Sequence, residues 1–434
     1  MKKLTITGTK GKTTVSNVLA SVLRSVEKRV LNVDTTGAYL NSELVVSKAQ
    51  SQRTWDVVPT VAPGRFLYLL APTDVPSKKG EHHGAVKGVA VLEASLGCGT
   101  VSGLGYYGHD VGIFTNVYED HLGSRPDLKS KKDIANSKKF IFSRINSDGY
   151  AVFNADDEYV CSMLSHCKEA VQLIPFGIRF SHFDVKNHLK NGGVAVSVQD
   201  GSIVILEESK TSETLRISDV GWAFEGRFTP SVYNLMAVTG GLIGYSEGNI
   251  PSSTLLTALA QSKLDPSSGR LVLFRNDQGI KVLADYAHEK QSLESVAKLA
   301  HDLKAEGGRV IGVLRLTWDR TEDLIRDTAQ HISHSYDHFV IYDKIDGYWR
   351  EPSSRFRTNQ RQFTQEVGKI SGWFADELTK QVGKERVQRI LREDEAISYA
   401  AQIARPGDVV VFIVNDDIER SITFIKDTFK AELV

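Results

Sequence analysis

The chain has 434 residues, of which 41% are hydrophobic and 24% charged, with 53 Lys+Arg against 53 Asp+Glu. Zero net charge gives no global field for nucleic acid or an anionic membrane surface, no apolar run is long enough to span a bilayer, and three cysteines, Cys98, Cys161 and Cys167, make no disulfide framework. The composition therefore predicts a soluble chain of about two domains in a reducing cytoplasm; Met1-Lys2-Lys3 runs straight into a strand and leaves no room for a signal peptide.

The first predicted element is a short β-type run, Lys3 to Ile6. Gly8-Thr9-Lys10-Gly11-Lys12-Thr13-Thr14 follows, then a helical run from Val15 to Leu23 with apolar residues at Val15, Val18, Leu19, Val22 and Leu23. Strand, Gly-rich turn, Gly-Lys-Thr and helix together are the context of a phosphate-binding loop. Small residues let backbone N–H groups converge on phosphate oxygens, and the helix N-terminus adds partial positive charge. Lys12 would reach the β- and γ-phosphates, and the Thr13 hydroxyl would face Mg²⁺. The bland alternative is a glycine turn that only caps a helix; the strand and helix in their places argue against it. One departure stands out: the first glycine of the general GxxxxGK[ST] pattern is Ile6 here.

Arg29 to Asp34 reads as a second buried strand, ending in Thr35-Thr36-Gly37-Ala38-Tyr39. Residues 50–70 look helical in part, from Gly64 to Leu70, and residues 72–87 form a polar loop read as a surface excursion. Gly88 to Glu93 is an apolar strand that ends in a carboxylate. Val111 to Asn116 is another, running into Val117-Tyr118-Glu119-Asp120-His121-Leu122-Gly123, and Ala151 to Asp157 is a further one. Strands ending in polar residues with helical runs between them predict a parallel α/β sheet, which binds ligands at its carboxyl edge. Val194–Val198 and Ser202–Leu206 flank Gln199-Asp200-Gly201 as a hairpin, expected as a small antiparallel addition to the first domain. Helices are expected from Tyr233 to Gly244 and from Ser252 to Ser262. Leu264 to Arg270 has linker composition. Beyond it the alternation restarts, with strands at Ile280–Ala284, Val310–Leu314, Phe339–Tyr342 and Val409–Val414 and helices at Leu293–Leu303 and Ile325–Ile332. The expected architecture is a P-loop parallel-sheet domain over residues 1–264 and a smaller, Rossmann-like doubly wound α/β domain over 265–434.

Four short stretches in order now carry a resemblance. GTKGKTT resembles the GTNGKT/S loop of the Mur ligases, which also lacks the first Walker glycine. TNVYEDHLG is similar to their TNxxxDHLD stretch, GRF followed by VYN to their GxFNxxN segment, and DYAH to the signature of their C-terminal domain. DTTGAYLNS, VLEASLGCGTVSGLGY, DVGIFTNVYEDHLG and AISYAAQIARPGDVVVFIV most resemble the Mur-ligase-like half of cyanophycin synthetase. The resemblance covers nearly the whole chain, without the ATP-grasp half of that enzyme and without the amino-terminal domain by which cell-wall Mur ligases hold a UDP-linked substrate.

The resemblance implies an ADP-forming ligase. ATP phosphorylates a substrate carboxylate, an amine attacks the acyl phosphate, and ADP and phosphate leave. Such chemistry asks of the protein mainly positioning and charge neutralisation. By resemblance, Gly8, Thr9, Lys10, Gly11, Lys12, Thr13, Thr14 and Asn116 hold the nucleotide. Thr13 and Glu93 hold one Mg²⁺. His121 holds a second together with a carbamylated lysine, Lys138, with Lys139 as the alternative. Asn234 contacts adenine; Thr229-Pro230-Ser231 replaces a single Asn of the family segment before it. Arg270 reaches the ATP phosphates and Asp285 the ribose or phosphate side, both from the second domain. His288 shares that signature as a structural or substrate-side residue. Asp319-Arg320 resembles the GDR turn, with Trp318 in place of glycine. Arg350, in Tyr348-Trp349-Arg350-Glu351, falls where related ligases read the incoming amino acid and could fork onto a carboxylate, with a salt bridge to Asp346 or Glu351 as the plain alternative.

Other clusters take the bland reading. His331, His334 and His338 have helical spacing, but no carboxylate or cysteine completes the set and a helix-to-strand boundary cuts through Asp337-His338; His82-His83 belongs to the loop, and Cys98 reads as a small packed thiol. The lysines Lys129, Lys131 and Lys132 read as a solvated helix face. The implied partners are small-molecule amino-acid or peptide substrates, with no nucleic acid or membrane, and oligomer formation stays open. Two other functions remain as alternatives: a folylpolyglutamate or poly-γ-glutamate synthase-like ligase, and a nucleotide-binding partner subunit without turnover. Thr13-Thr14 and DTTGAYLNS argue against the former. Lys12, Glu93, His121 and Lys138 together argue against the latter.

Overall fold

Apolar strand runs alternating with helical runs build two α/β units. The computed structural model describes residues 1–55, 57–70, 88–119, 122, 126–264, 270–317, 320–343, 367–415 and 417–434. The 72–87 loop, Asp120, His121, Gly269, Trp318, Asp319 and the segment containing Arg350 lie outside the described residues. One unit takes Met1–Tyr118 with Ser130–Leu264; the other takes Glu119–Lys129 with Asp265–Val434.

The first unit is built on β1 (Lys2–Thr7), β2 (Val30–Val33), β3 (Gly37–Leu40), β4 (Glu43–Ser47), β5 (Val89–Glu93), β6 (His109–Phe114), β7 (Ile145–Asn154), β8 (Gln172–Phe176), β9 (Ala195–Gln199), β10 (Ser202–Leu206) and β11 (Thr211–Arg216). They form one sheet in the order β11-β10-β9-β8-β7-β6-β1-β5-β2-β3-β4. From β2 to β8 across the sheet the pairs are parallel. These strands read as nearly continuous Val, Ile, Leu and Phe because both faces are covered. β1 lies between β5 and β6, with Ile6 opposite Glu93 on one side and Ile113 on the other. The turn after β1, the carboxylate that ends β5 and the residues after β6 therefore leave the sheet side by side at its carboxyl edge.

The helix Lys12–Leu23 buries Val15, Val18, Leu19, Val22 and Leu23, the face expected from i, i+3, i+4 spacing. The helix Thr229–Tyr245 is apolar on nearly every side and joins the same core. A side chain at Gly241 would meet Ile113 Cδ1 at 2.9 Å and Leu19 Cδ2 at 3.2 Å, so its lack of a Cβ is what lets this helix close on the sheet.

The expected antiparallel hairpin of β9 and β10, with β11 beside it, is joined to the main sheet of this unit: β9 pairs in parallel with β8 through Phe176 and Val196, and the Ser197 hydroxyl donates to the Gly177 carbonyl at 2.8 Å. A second edge hairpin is not expected from the sequence. Past Asp34 the chain turns back into β3 and β4, an antiparallel hairpin at the other edge. Its short, half-exposed strands lack the apolar run by which buried strands show themselves.

The second unit carries β12 (Val272–Arg275), β13 (Lys281–Asp285), β14 (Val310–Leu314), β15 (His338–Ile341), β16 (Val387–Arg389), β17 (Val409–Ile413) and β18 (Glu432–Leu433) in the order β16-β15-β14-β17-β13-β12-β18. The first five of that order are parallel and the last two antiparallel. Helices begin earlier here than the apolar spacing suggests. The Glu289 carboxylate accepts the amides of Gln291 and Ser292, starting a helix at Lys290, and Thr321 caps one that starts at Glu322. Apolar period marks the buried face, whereas the cap sets the start.

His109 opens β6 fully buried, with Nε2 at 2.8 Å from the Ile141 carbonyl and Nδ1 without a partner among the described residues. Burial pushes its pKa down from 6.5 to about 4. Between those values the unfolded chain binds more protons, so the stability from neutral His109 is full above the ordinary value and is lost as pH falls. Lowering pH from about 7 to about 5 is expected to cost on the order of 2 kcal/mol through this residue. Denaturant titrations at both pH values should show a shallower loss in His109→Gln. Equal losses would refute the assignment.

Candidate active site

The turn after β1 is shaped by two glycines and closed by its neighbours. Gly8 has φ 144°, and a Cβ there would lie 2.0 Å from Thr115 Oγ1. Gly11, at φ 83°, caps the helix Lys12–Leu23; a Cβ there would lie 2.2 Å from Asn234 Oδ1. The Thr9 amide donates to the Asn116 carbonyl at 2.9 Å. The Asn116 side chain accepts from the Lys10 amide at 2.8 Å and donates to the Lys10 carbonyl at 3.1 Å, while the Thr115 hydroxyl donates to that carbonyl at 2.7 Å. The Tyr118 amide donates to Thr9 Oγ1 at 3.0 Å. Asn116, expected at the nucleotide, thus forms the wall that holds the loop. Lys12 Nζ folds back to the Thr9 carbonyl at 2.9 Å. The helix start has no side-chain cap and no acidic residue in its first turn, where Thr13 and Thr14 lie, so its amides and dipole suit an anion.

Glu93, at the end of β5, is buried. Its Oε2 accepts the Thr13 hydroxyl at 2.8 Å, and the Thr35 hydroxyl lies 3.2 Å from each of its oxygens. Thr13 and Thr35 hydroxyls are 3.3 Å apart. One carboxylate and two hydroxyls beside this glycine turn are hard oxygen donors of the kind Mg²⁺ takes.

Thr35 was not singled out from sequence. The signal was the polar turn at the end of β2: Asp34 Oδ1 accepts the Thr36 amide at 2.7 Å, the Thr36 hydroxyl at 2.6 Å and the Gly37 amide at 3.2 Å, which fixes the turn. Burial, with a smaller contribution from Glu93, raises Asp34 to about 6 against these donors.

Lys138 caps the C-terminal end of the helix Lys131–Ser137 and is buried, whereas Lys139 is exposed. The helix starts from a capping box of Ser130 and Asp133. A Cβ on Gly99 would stand 1.6 Å from the Ser137 carbonyl, so the turn carrying Cys98 packs directly on the backbone beside Lys138. The Cys98 thiol donates to the Thr60 carbonyl at 3.1 Å, and burial pushes its pKa up to about 11, with Lys138 and Arg65 opposing. It is a packed thiol rather than a reactive one. Burial likewise pushes Cys161 and Cys167 up to about 12.

Ser231 stands three residues before Asn234, within the first turns of the helix Thr229–Tyr245, and its hydroxyl donates to the Trp222 carbonyl at 3.2 Å. The inserted residues therefore extend this helix.

In the second unit, Asp285 ends β13 and its Oδ2 accepts the Leu271 amide at 2.9 Å, next to Arg270. The Tyr286 ring carries Arg270 at 4.9 Å and Arg315 at 4.7 Å. Arg315, which sequence reasoning missed, is fully buried and donates through Nη2 to the Val414 carbonyl at 2.6 Å. His288 Nδ1 lies 2.7 Å from the Tyr286 carbonyl. Arg320, also buried, donates to Thr317 Oγ1 at 3.1 Å and to the carbonyls of Glu119 at 2.8 Å and His288 at 3.4 Å. These contacts hold His288 and Arg320 against backbone carbonyls of this unit. His331 Nε2 meets Glu294 at 2.9 Å on the surface, and no group of three or more His, Cys, Asp or Glu able to hold a metal occurs among the described residues.

Comparison with known proteins follows the same two-part division. The Mur ligase middle domain matches residues 6–241, and the Mur ligase, glutamate ligase domain matches residues 269–413. Cyanophycin synthetase of Trichormus variabilis is 27% identical over 425 residues, which cover 98% of this chain and 42% of that protein. The chain thus spans less than half the length of that relative. UDP-N-acetylmuramoyl-L-alanyl-D-glutamate--2,6-diaminopimelate ligase of Parabacteroides distasonis is 26% identical over 409 residues, covering 94% of this chain and 71% of the relative. Among solved structures, Mycobacterium tuberculosis folylpolyglutamate synthase complexed with ADP and AMPPCP gives a TM-score of 0.64 at 14% identity, covering 100% of this chain and 92% of that one. E. coli FolC in complex with DHPP and ADP gives 0.61 at 16% identity, covering 98% and 89%. At these identities the structural likeness is one of fold.

Replacing Gly11 by alanine puts a Cβ onto Asn234 and an L-residue at positive φ. The variant is expected to fold yet bind ADP at least about tenfold more weakly, since a misplacement costing about 1.4 kcal/mol suffices. Calorimetric titration checks this, and unchanged affinity would show that the cradle does not hold phosphate. With two domains of one family matched in order along it, the chain belongs to the Mur ligase family.

Proposed function

We propose that this protein is an ATP-dependent, ADP-forming ligase that joins an amino acid to a carboxylate of an amino acid or peptide, acting in the cytoplasm. The observation that carries the reading is the Thr13–Glu93 contact of 2.8 Å beside an uncapped, glycine-cradled helix start. The family and two relatives above support it, one named a synthetase and the other a ligase. No helix among the described residues is long and apolar enough to cross a membrane.

In this reading the amides at the helix start, from Gly11 to Thr14, hold the ATP phosphates, those of Thr9 and Lys10 being taken by Asn116, and Lys12 offsets the γ-phosphate charge. Thr13, Glu93 and Thr35 would hold Mg²⁺, which when bound draws the β- and γ-phosphates into place and offsets their charge. The substrate carboxylate attacks the γ-phosphorus, the bond to ADP breaks, and an acyl phosphate forms. The amine then attacks the acyl carbon, loses a proton, and phosphate leaves.

Lys138 is the better of the two lysine candidates because it is the buried one. As an ammonium it would repel a cation; carbamylated, it becomes an anionic oxygen ligand. His121 would join it by family resemblance. Asn234 meets Gly11, which suits a residue that contacts the nucleoside just beyond the loop. Arg270 and Asp285 would serve the nucleotide from the second unit, again by resemblance.

Phosphate release from ATP, with a panel of amino acids crossed against aspartyl peptides and glutamate, is expected to need one acid and one amine together. Lys12→Ala should abolish it, and silence across the panel with ATP still bound would favour a partner subunit without turnover. Lys138→Ala is expected to lower turnover by at least about a hundredfold, the scale of a lost metal-site group, while Lys139→Ala stays near wild type. Equal effects in the two lysine variants would remove Lys138 from the site.

A further inference from the structure

The turn Asn154-Ala155-Asp156-Asp157 that closes β7 carries two adjacent carboxylates, neither of which takes part in the chemistry above. They serve different segments. Asp157 Oδ2 accepts the Val117 amide at 2.7 Å, while its Oδ1 caps the helix Glu158–Ser162 through the amides of Tyr159 at 3.0 Å and Val160 at 3.1 Å. Val117 follows Asn116, whose carbonyl takes the Thr9 amide and whose side chain holds Lys10 from both sides. A shift of the Val117 amide is therefore passed directly to the phosphate loop.

Asp156 faces another way. It accepts the amides of Ile178 at 2.7 Å, Arg179 at 3.2 Å and Ser181 at 3.0 Å, and the Tyr233 hydroxyl at 2.7 Å. Phe180, at φ 52°, turns the chain so that these amides converge on one anion. Burial pushes Asp156 up, yet the Ser181 amide, the Tyr233 hydroxyl and the other amides hold it below the ordinary carboxylate value. Tyr233 immediately precedes Asn234, whose Oδ1 occupies the space in front of Gly11. Fixing the Tyr233 hydroxyl thus fixes how the first turns of the helix Thr229–Tyr245 present Asn234.

We infer that Asp156 and Asp157 are positioning residues that set the nucleotide loop from two sides: Asp157, through Val117 and Asn116, for the phosphates, and Asp156, through Tyr233 and Asn234, for the nucleoside. The inference rests on the reading of this loop as an ATP site. It separates two roles for neighbouring residues that a general structural function would not separate.

The test is calorimetric titration of the full chain with ADP and, separately, with inorganic triphosphate, both with Mg²⁺, beside ligand-free thermal unfolding. Tyr233→Phe removes only the hydroxyl; it is expected to weaken ADP about tenfold while triphosphate stays within about twofold of wild type. Asp157→Ala is expected to weaken both ligands by about tenfold, because it leaves no side-chain acceptor for the Val117 amide. Should that variant fail to fold, Asp157→Ser keeps a capping oxygen for the helix and still withdraws from Val117. Tyr233→Phe weakening both ligands alike, Asp157 variants sparing triphosphate, or no change in either would overturn the inference. Wild-type protein that binds neither ligand would instead overturn the ATP reading, and this inference with it.

Discussion

The parallel register of β1 between β5 and β6 is the constraint on which the rest of the site depends. Because Ile6 lies opposite both Glu93 and Ile113, three chain segments leave the sheet within reach of one another without any of them bending. Parallel strands start their connections at one edge, and that edge collects the polar ends of otherwise apolar runs. Gly8 then turns the chain where any side chain would strike Thr115. The helix that follows starts at Lys12 with no side-chain cap and no acidic residue in its first turn. A terminus of this kind suits an anion.

Around that loop one buried and two half-buried carboxylates hold the backbone in place. Asp34 folds the turn that brings Thr35 to Glu93. Asp157 and Asp156 tie down the segments beside the loop. Each is a charge whose burial is costly and is offset by several amide or hydroxyl donors, which makes the arrangement specific as well as stable. The same economy shapes the second unit, where the guanidinium of Arg315 is fully buried against a carbonyl and the Tyr286 ring. Groups of this kind hold a backbone in one conformation because moving it would leave a charge unsatisfied.

Lys138 shows how burial discriminates between adjacent residues. Lys138 and Lys139 are indistinguishable as letters, yet the helix end turns one inward and the other to solvent. Gly99 packs closely on the Ser137 carbonyl beside them. Cys98, beside them, is set by the same packing as a thiol of raised pKa.

The amino-acid sequence by itself determined the class of fold, the glycine turn that starts the first helix, and the family. Each rests on local or periodic properties: glycines next to a Lys-Thr pair, apolar runs of strand length, and four short motifs in order. It also marked Glu93 as a carboxylate at a strand end. Only the tertiary structure decided that Asn116 walls the loop, that Thr35 joins Thr13 on Glu93, that Lys138 is the inward lysine, and that His288 and Arg320 pack against carbonyls. It also showed that the β9–β11 strands continue the main sheet. The physical reason is distance along the chain. Thr35 and Glu93 are 58 positions apart, and Tyr233 and Asp156 are 77 apart. Contacts between such residues follow from strand register and helix packing, which no local pattern of letters encodes.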